Sequence, residues 1–132
     1  MRSIIYILFL LSLSINAYAF NEECINSKEF PFCIYKDSKL DFIILRNEKE
    51  VGWHKVIFEK TSDGFNAITT AYIKARYLLF LDYIFRYSSK SNWINNQLIS
   101  HEVMIDDDGD EYNINIYKKA EDLLEITDQD NK

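Results

Sequence analysis

This chain of 132 residues contains only three glycines, one proline and two cysteines. Loops that bind phosphate groups need closely spaced glycines, so the scarcity of glycine excludes the common nucleotide-binding loops. No low-complexity linker rich in proline or glycine is present, and this favours a single folded domain. The two cysteines lack the CxxC spacing of redox and zinc motifs, so neither chemistry is predicted.

Basic residues are also in the minority, because 15 Lys and Arg stand against 21 Asp and Glu and give a net charge of −6. Proteins that bind nucleic acid draw most of their affinity from neutralising phosphates with Lys and Arg. Attachment to anionic lipid surfaces likewise needs a polybasic cluster. Nucleic acid is therefore not expected among the partners.

The N-terminus carries the pattern of a secretory signal. Arg2 supplies a positive charge, residues 4–15 form an apolar run, and Ala17 and Ala19 provide the small residues of a cleavage site. The run is too short for a bilayer span, which needs about 20 apolar residues. We therefore expect a signal helix over 1–19, cleavage after Ala19 and a periplasmic or secreted protein.

Cys24 and Cys33 lie in the segment 20–37 that follows the signal. An oxidising destination favours a disulfide between them, which would tie down this segment. The residues before Cys24 do not form a lipobox, because they are not small and apolar. No stable membrane anchor is therefore expected once the signal is removed.

Alternating apolar and polar residues dominate the rest of the chain and predict strands. The predicted strands cover residues 40–46, 51–59, 65–78, 82–93, 98–105 and 111–117. Gly52 suggests a bulge or a close backbone approach, and Gly64 is expected to take a positive φ in a turn over 61–64. A helix over 71–87 competes with two strands there, but aromatic enrichment favours the strands.

These elements predict a mainly β protein with a single curved antiparallel sheet, a half-barrel or incomplete barrel, over residues 38–118. The meander has about six strands, and one face must be buried although no long amphipathic helix is available to cover it. Residues 119–132 form a charged tail, with a short helical turn expected on Leu123, Leu124 and Ile126 before a frayed end.

Polar clusters offer no catalytic site and no metal site. Residues 106–111 are acidic, but Gly109 stands in the wrong register for a calcium-binding EF-hand loop, so a solvated hairpin tip is predicted. His54 and His101 lack a third ligand at a suitable spacing and are expected to be core or cavity residues. With no G-x-S-x-G motif either, we predict no enzyme activity and no cofactor.

Aromatic residues are the most suggestive group. Those predicted to line an apolar concave face and bind a ligand are Trp53, Tyr72, Tyr77, Tyr83, Phe85 and Trp93. Ala67, Ala71 and Ala75 share one side of a predicted strand and would leave room for a cavity. The alternative interpretation is that these aromatic side chains form the core of the domain.

Several segments resemble a known family. They are residues 40–45, 50–58, 83–87, 93–100 and 107–109, so the resemblance spans about 38–118. The family comprises uncharacterised bacterial exported proteins with a domain of unknown function. It implies a curved antiparallel sheet, distantly like the half-barrels of lipoprotein-localisation carriers, and implies no catalytic residues. The family's usual turn glycines are replaced here by Asn47 and Asn95-Asn96, and its members typically continue with further strands.

The expected function is that of an exported, non-enzymatic β domain whose concave face binds a lipid, another apolar small molecule or an envelope protein. A structural module that pairs an exposed sheet edge with another chain is the alternative. An unrecognised hydrolase ranks third.

Overall fold

The computed structural model describes residues 22–78, 81–121 and 123–128. Seven strands form one open antiparallel sheet in chain order, and a four-residue helix, α1 (Glu22–Ile25), precedes them. The strands are β1 (Lys39–Arg46), β2 (Lys49–Lys60), β3 (Gly64–Leu78), β4 (Leu81–Ile94), β5 (Gln97–Asp107), β6 (Asp110–Ala120) and β7 (Leu123–Asp128). The predicted signal segment 1–19 lies outside the described residues.

The prediction of a mainly β protein with a single curved sheet is confirmed. Strands β3 and β4 occupy the region 71–87 where a helix was the competing prediction. They pair from Gly64 opposite Ile94 to Leu78 opposite Leu81, with one irregularity after Arg76. The β-branched and aromatic residues of this region pack well on a pleated surface, which is why the strand prediction succeeds.

The C-terminal prediction is wrong. Residues 123–128 form the seventh strand rather than a helical turn, so the sheet exceeds the predicted count of about six. Ile126 lies opposite Ile116 on β6, whose outer edge offers the backbone hydrogen-bonding groups that β7 uses. The β-branched Ile126 and Thr127 also favour the extended conformation. Residues 129–132, the predicted frayed end, lie outside the described residues.

Three hairpin turns are built with little help from glycine. Both central residues of each turn have positive φ, at Asn47 (51°) and Glu48 (63°), Asn95 (50°) and Asn96 (60°), and Asp108 (55°) and Gly109 (102°). Two successive positive φ values give the turn type whose twist matches that of the flanking strands. Asn and Asp tolerate this left-handed region better than other non-glycine residues. The Asn residues therefore form these turns without the usual glycines.

The other two glycines are required by close contact between strands. A Cβ at Gly52 would lie 2.0 Å from the carbonyl oxygen of Tyr72, and one at Gly64 would lie 1.9 Å from that of Trp93. The β1–β2 register also shifts beside Gly52, so the predicted bulge and close approach are both confirmed. The positive φ predicted for Gly64 is wrong, because only Gly109 has one among the glycines.

The N-terminal segment packs on one end of the sheet. The predicted disulfide between Cys24 and Cys33 is confirmed. Phe30 meets Phe65 edge to face with 5.9 Å between ring centroids, and Tyr35 stacks on Phe58 at 5.3 Å. These aromatic contacts hold the N-terminal segment against this end of the sheet.

We expect Gly52→Ala to destabilise the protein by about 3 kcal/mol, because the new methyl group would overlap backbone atoms of β3 that cannot rotate away. Urea unfolding followed by tryptophan fluorescence measures the loss. Gly109→Ala is the control: its Cβ meets nothing within 4 Å, so only the cost of the positive φ, about 1 kcal/mol, applies. Equal losses in the two variants would contradict this explanation.

Candidate functional site

Cross-strand register defines the two faces of the sheet, since directly paired residues share a face. One row runs across the middle: Ala71 lies opposite His54 and Tyr87, Tyr87 opposite Ile105, and Ile105 opposite Tyr112. The next row consists of Leu40, Val56, Thr69, Ser89, Val103 and Ile114. The first set contains no Lys, Arg, Asp or Glu. The second row contains none either from β1 to β6, but on β7 Asp128 lies opposite Ile114.

Burial identifies this as the concave face. Ser89 and Ser91 are each 7% exposed and Val103 is 8% exposed. Among the described residues, the N-terminal segment makes its ring contacts only at the Phe58 and Phe65 end. The low exposure of these central residues indicates that this side is the inner side of the curved sheet. We call the side that carries Ala71 the concave face and the other side the convex face.

A groove runs along the concave face over β3 and β4. Its floor is made of small side chains, namely Ala67, Thr69, Ala71, Ser89 and Ser91. Part of it forms a shallow depression of about 400 Å³ lined by Ile44, His54, Val56, Thr69, Ala71, Phe85 and Tyr87. Two depressions of about 370 and 410 Å³ lie on the convex face, but charged residues line both of them, including Lys90 and Glu102 in one and Arg86 and Asp106 in the other. The lining and not the volume therefore distinguishes the concave depression. The lining is apolar apart from one imidazole and two hydroxyl groups.

Aromatic rings close one end of the groove. Phe65 and Trp93 stack with ring centroids 6.0 Å apart and an interplanar angle of 7°. The indole N–H of Trp93 donates a hydrogen bond to the Ser91 hydroxyl at 2.9 Å, and that hydroxyl donates to the carbonyl oxygen of Ala67 at 3.4 Å. At the other end, the Tyr83 hydroxyl donates to the Asp107 carboxylate. The groove thus ends in polar groups that are already engaged.

The six aromatic residues predicted to share a concave face are divided between the two sides. Tyr83, Phe85 and Trp93 lie on the concave face. Trp53 and Tyr72 lie opposite each other on the convex face, with ring centroids 6.4 Å apart. The prediction for Trp53 and Tyr72 is therefore wrong. Side chains alternate between the two faces, and the concave positions are even-numbered on β2 and odd-numbered on β3. The side chain of Tyr77 lies outside the described part of the chain.

Sequence reasoning missed the hydroxyl residues Thr69, Ser89 and Ser91, which stand in the groove floor. The alternation along β3 already placed Thr69 beside the alanines, but no signal indicated which serine of the stretch 88–91 turned inward. The two histidines do lie on the concave face. His54 stacks on Phe42 with ring centroids 5.8 Å apart, and His101 lies opposite Ser91.

The convex face, by contrast, carries ion pairs. The Asp82 carboxylate contacts Arg76 Nε at 2.8 Å and Lys74 Nζ at 3.0 Å. Hydrogen bonds from Arg76 and then Lys74 lower the pKa of Asp82 to about 2. The backbone N–H of Gly109 and the Arg86 guanidinium lower the pKa of Asp106 in the same direction. The charged side of the sheet is therefore the solvated side.

In the acidic turn at 106–110, two carboxylates already accept hydrogen bonds from backbone N–H groups. Asp106 Oδ1 accepts a hydrogen bond from the Gly109 N–H at 2.9 Å, and Asp108 Oδ1 accepts one from the Ile84 N–H at 3.1 Å. Among the described residues, no group of three or more His, Cys, Asp or Glu side chains is arranged to hold a metal ion. None of the helices within the described ranges is long and apolar enough to cross a membrane.

Comparison with known proteins identifies the family of this chain. A family described as "Domain of unknown function (DUF6134)" matches residues 42–132. The chain belongs to this family. No curated protein and no solved structure matches the chain. The family match includes β2 to β7 and thus the whole groove floor.

Acid titration tests the convex-face network. Because the pKa of Asp82 is depressed in the folded protein, its stabilising effect is present above its ordinary value of 3.8 and is lost as the pH falls towards 2. Carboxyl-carbon NMR should show Asp82 titrating near 2, and Arg76→Gln should raise that value. Arg86→Gln, which removes the partner of Asp106, serves as the control. An ordinary titration of Asp82 in the unaltered protein would refute the network.

Proposed function

We propose that this protein is exported and that its concave face binds the acyl chain of a lipid without catalysing a reaction. The observation that carries the proposal is the uneven distribution of charge over a single-layer sheet. From β1 to β6 the central rows of the concave face are free of charged residues, with Asp128 of β7 at the end of one row, whereas Lys74, Arg76, Asp82 and Arg86 occupy the convex face. An apolar sheet face gains free energy when it is covered.

An apolar ligand suits the shape of this surface. The groove has a floor of small residues, aromatic rings at one end and a depression of about 400 Å³ along its length. Such a site can take an extended hydrocarbon chain, because alkyl groups need contact area but no specific hydrogen bonds. The likeness to half-barrel lipoprotein-localisation carriers, inferred from the sequence, is in keeping with the same role.

Export is supported by two independent features. The first is the sequence pattern over 1–19, with its small residues at Ala17 and Ala19. The second is the Cys24–Cys33 disulfide, which fits an oxidising compartment. Binding of a lipid outside the cytosol would require a water-soluble domain that shields the hydrocarbon chain, and the concave groove offers such a shield.

A second candidate function is pairing of a sheet edge with another chain. It is favoured by exposed apolar side chains on the two outer strands, with Ile43 at 66% and Leu45 at 62% on β1 and Ile126 at 67% on β7. Among the strands of the described residues, the inner ones pair on both sides, whereas β1 and β7 each have one edge without a partner strand. This function would leave the groove empty.

Binding in the groove can be tested by placing a larger side chain on its floor. We expect Ala71→Phe to weaken binding of the uncharged fluorescent probe N-phenyl-1-naphthylamine at least about tenfold, equivalent to about 1.4 kcal/mol, because the new ring would occupy the depression that Ala71 lines. Fluorescence titration gives the affinity, and circular dichroism checks the fold.

Thr70→Phe is the matched control, since Thr70 is the next residue on β3 but faces the convex side opposite Lys55 and Ser88. It should bind the probe as the unaltered protein does. A complete lack of saturable probe binding, or equal weakening in both variants, would refute binding in the groove.

Export is tested by expressing the full chain in a bacterium with a periplasm. The periplasmic fraction should contain a protein that begins at Phe20 and carries an intact Cys24–Cys33 disulfide, as measured by mass spectrometry before and after reduction. Ala19→Leu removes the small residue at the cleavage site and should retain the segment 1–19. Recovery of the uncleaved chain from the cytosol alone would contradict export.

A further inference from the structure

Ser89 stands in the centre of the groove floor with its hydroxyl group unused. It lies opposite Thr69 on β3 and Val103 on β5, and it is 7% exposed. Within residues 22–78, 81–121 and 123–128, its side chain has no hydrogen-bond partner. Ser91, buried to the same extent, both donates and accepts. The Ser89 hydroxyl can therefore still form hydrogen bonds with a ligand, whereas the Ser91 hydroxyl already has a donor and an acceptor within the protein.

The Ser89 hydroxyl is not completely enclosed by the protein. No fully occluded side-chain nitrogen or oxygen lacks a partner among the described residues, so the Ser89 oxygen retains access to the space above it. Buried polar groups are normally hydrogen-bonded. A buried hydroxyl group without a partner in the protein can form its hydrogen bond with a ligand or a water molecule. On the concave face that partner would be a ligand or a water molecule in the groove.

The charges around the groove favour an uncharged partner. Lys60, at the aromatic end, already pairs with Glu29 at 3.2 Å. Asp107 and Asp128 lie in the outer positions of the concave rows, where they would repel an anion. Other titratable groups on this face include His54, His101, Asp110 opposite Asp107, and Lys118, whose ammonium donates to the Gln97 side chain; none of them lies in the row of Ser89. A carboxylate or phosphate would thus lose water beside Ser89 without gaining a fixed cation.

We propose that Ser89 donates a hydrogen bond to the carbonyl oxygen of an uncharged acyl ester, so that the groove selects neutral acylglycerols over free fatty acids. This inference rests on the proposed binding of an acyl chain in the groove. With the ester at Ser89, the hydrocarbon chain lies over Thr69 and Ala71 in the depression bordered by Phe85 and Tyr87. The hydroxyl supplies the one specific contact, and the depression supplies the apolar area.

The test uses three ligands with the same dodecyl length, each displacing N-phenyl-1-naphthylamine at pH 8, where imidazoles in general are neutral. Monododecanoylglycerol carries the ester, 1-O-dodecylglycerol replaces it with an ether that lacks the carbonyl, and dodecanoate carries a charge. The unaltered protein should bind the ester about five- to tenfold more tightly than the ether, the usual effect of one net hydrogen bond. Dodecanoate should bind more weakly than the ester as well.

Ser89→Ala should remove the preference for the ester over the ether, measured as the ratio of the two affinities in that variant. Ser88→Ala is the control, because Ser88 faces the convex side opposite Thr70 and Met104. If the probe binds but the ester and ether bind equally in the unaltered protein, or Ser89→Ala keeps the preference, water satisfies this hydroxyl and the inference is overturned while groove binding stands. If no ligand and no probe binds, the proposed function fails as well.

Discussion

The pairing of β3 with β4 is the constraint on which the rest of this molecule depends. It extends from Gly64 opposite Ile94 to Leu78 opposite Leu81 and sets the faces of both strands together. The same register aligns the small side chains of the groove floor, stacks Phe65 on Trp93 and brings Arg76 to Asp82. A shift by one residue would exchange the two faces of one strand, destroying the groove and the ion pairs at once.

Close packing between backbones supports this register. Gly64 lies against the carbonyl of Trp93 at the start of the β3–β4 pair, and Gly52 lies against that of Tyr72 on the other side of β3. Neither position tolerates a Cβ, so these two glycines fix how closely β2 and β4 approach β3. The turn positions that usually take glycine use Asn47, Asn95 and Asn96 instead. A chain with so few glycines thus uses two of them where no other residue fits.

The alternation of single strands was enough to predict the class of fold and the position of most strands, and the disulfide was predicted from the two cysteines and the expected export. The alternation also placed Ala67 and Ala71 together on one side, as the structure confirms. It failed where a result depends on how strands align with one another. Trp53 is aromatic and lies on a central strand, but only the register and the bulge near Gly52 determine that it faces the convex side. The inward position of Ser89 could not be predicted from the sequence for the same reason, because the four polar residues 88–91 show no alternation.

The two outer strands of the described sheet, β1 and β7, do not pair with each other, so the sheet is open. In a meander of seven antiparallel strands the first and last run in the same direction, so β1 and β7 could close a barrel only by pairing in parallel. Their facing edges would also need a register different from every other pair in the sheet. β7 is only six residues long, and its apolar residue Ile126 remains 67% exposed. Because β1 and β7 do not pair, the concave face is accessible along the open side of the described sheet, even though Ser89 at its centre is only 7% exposed.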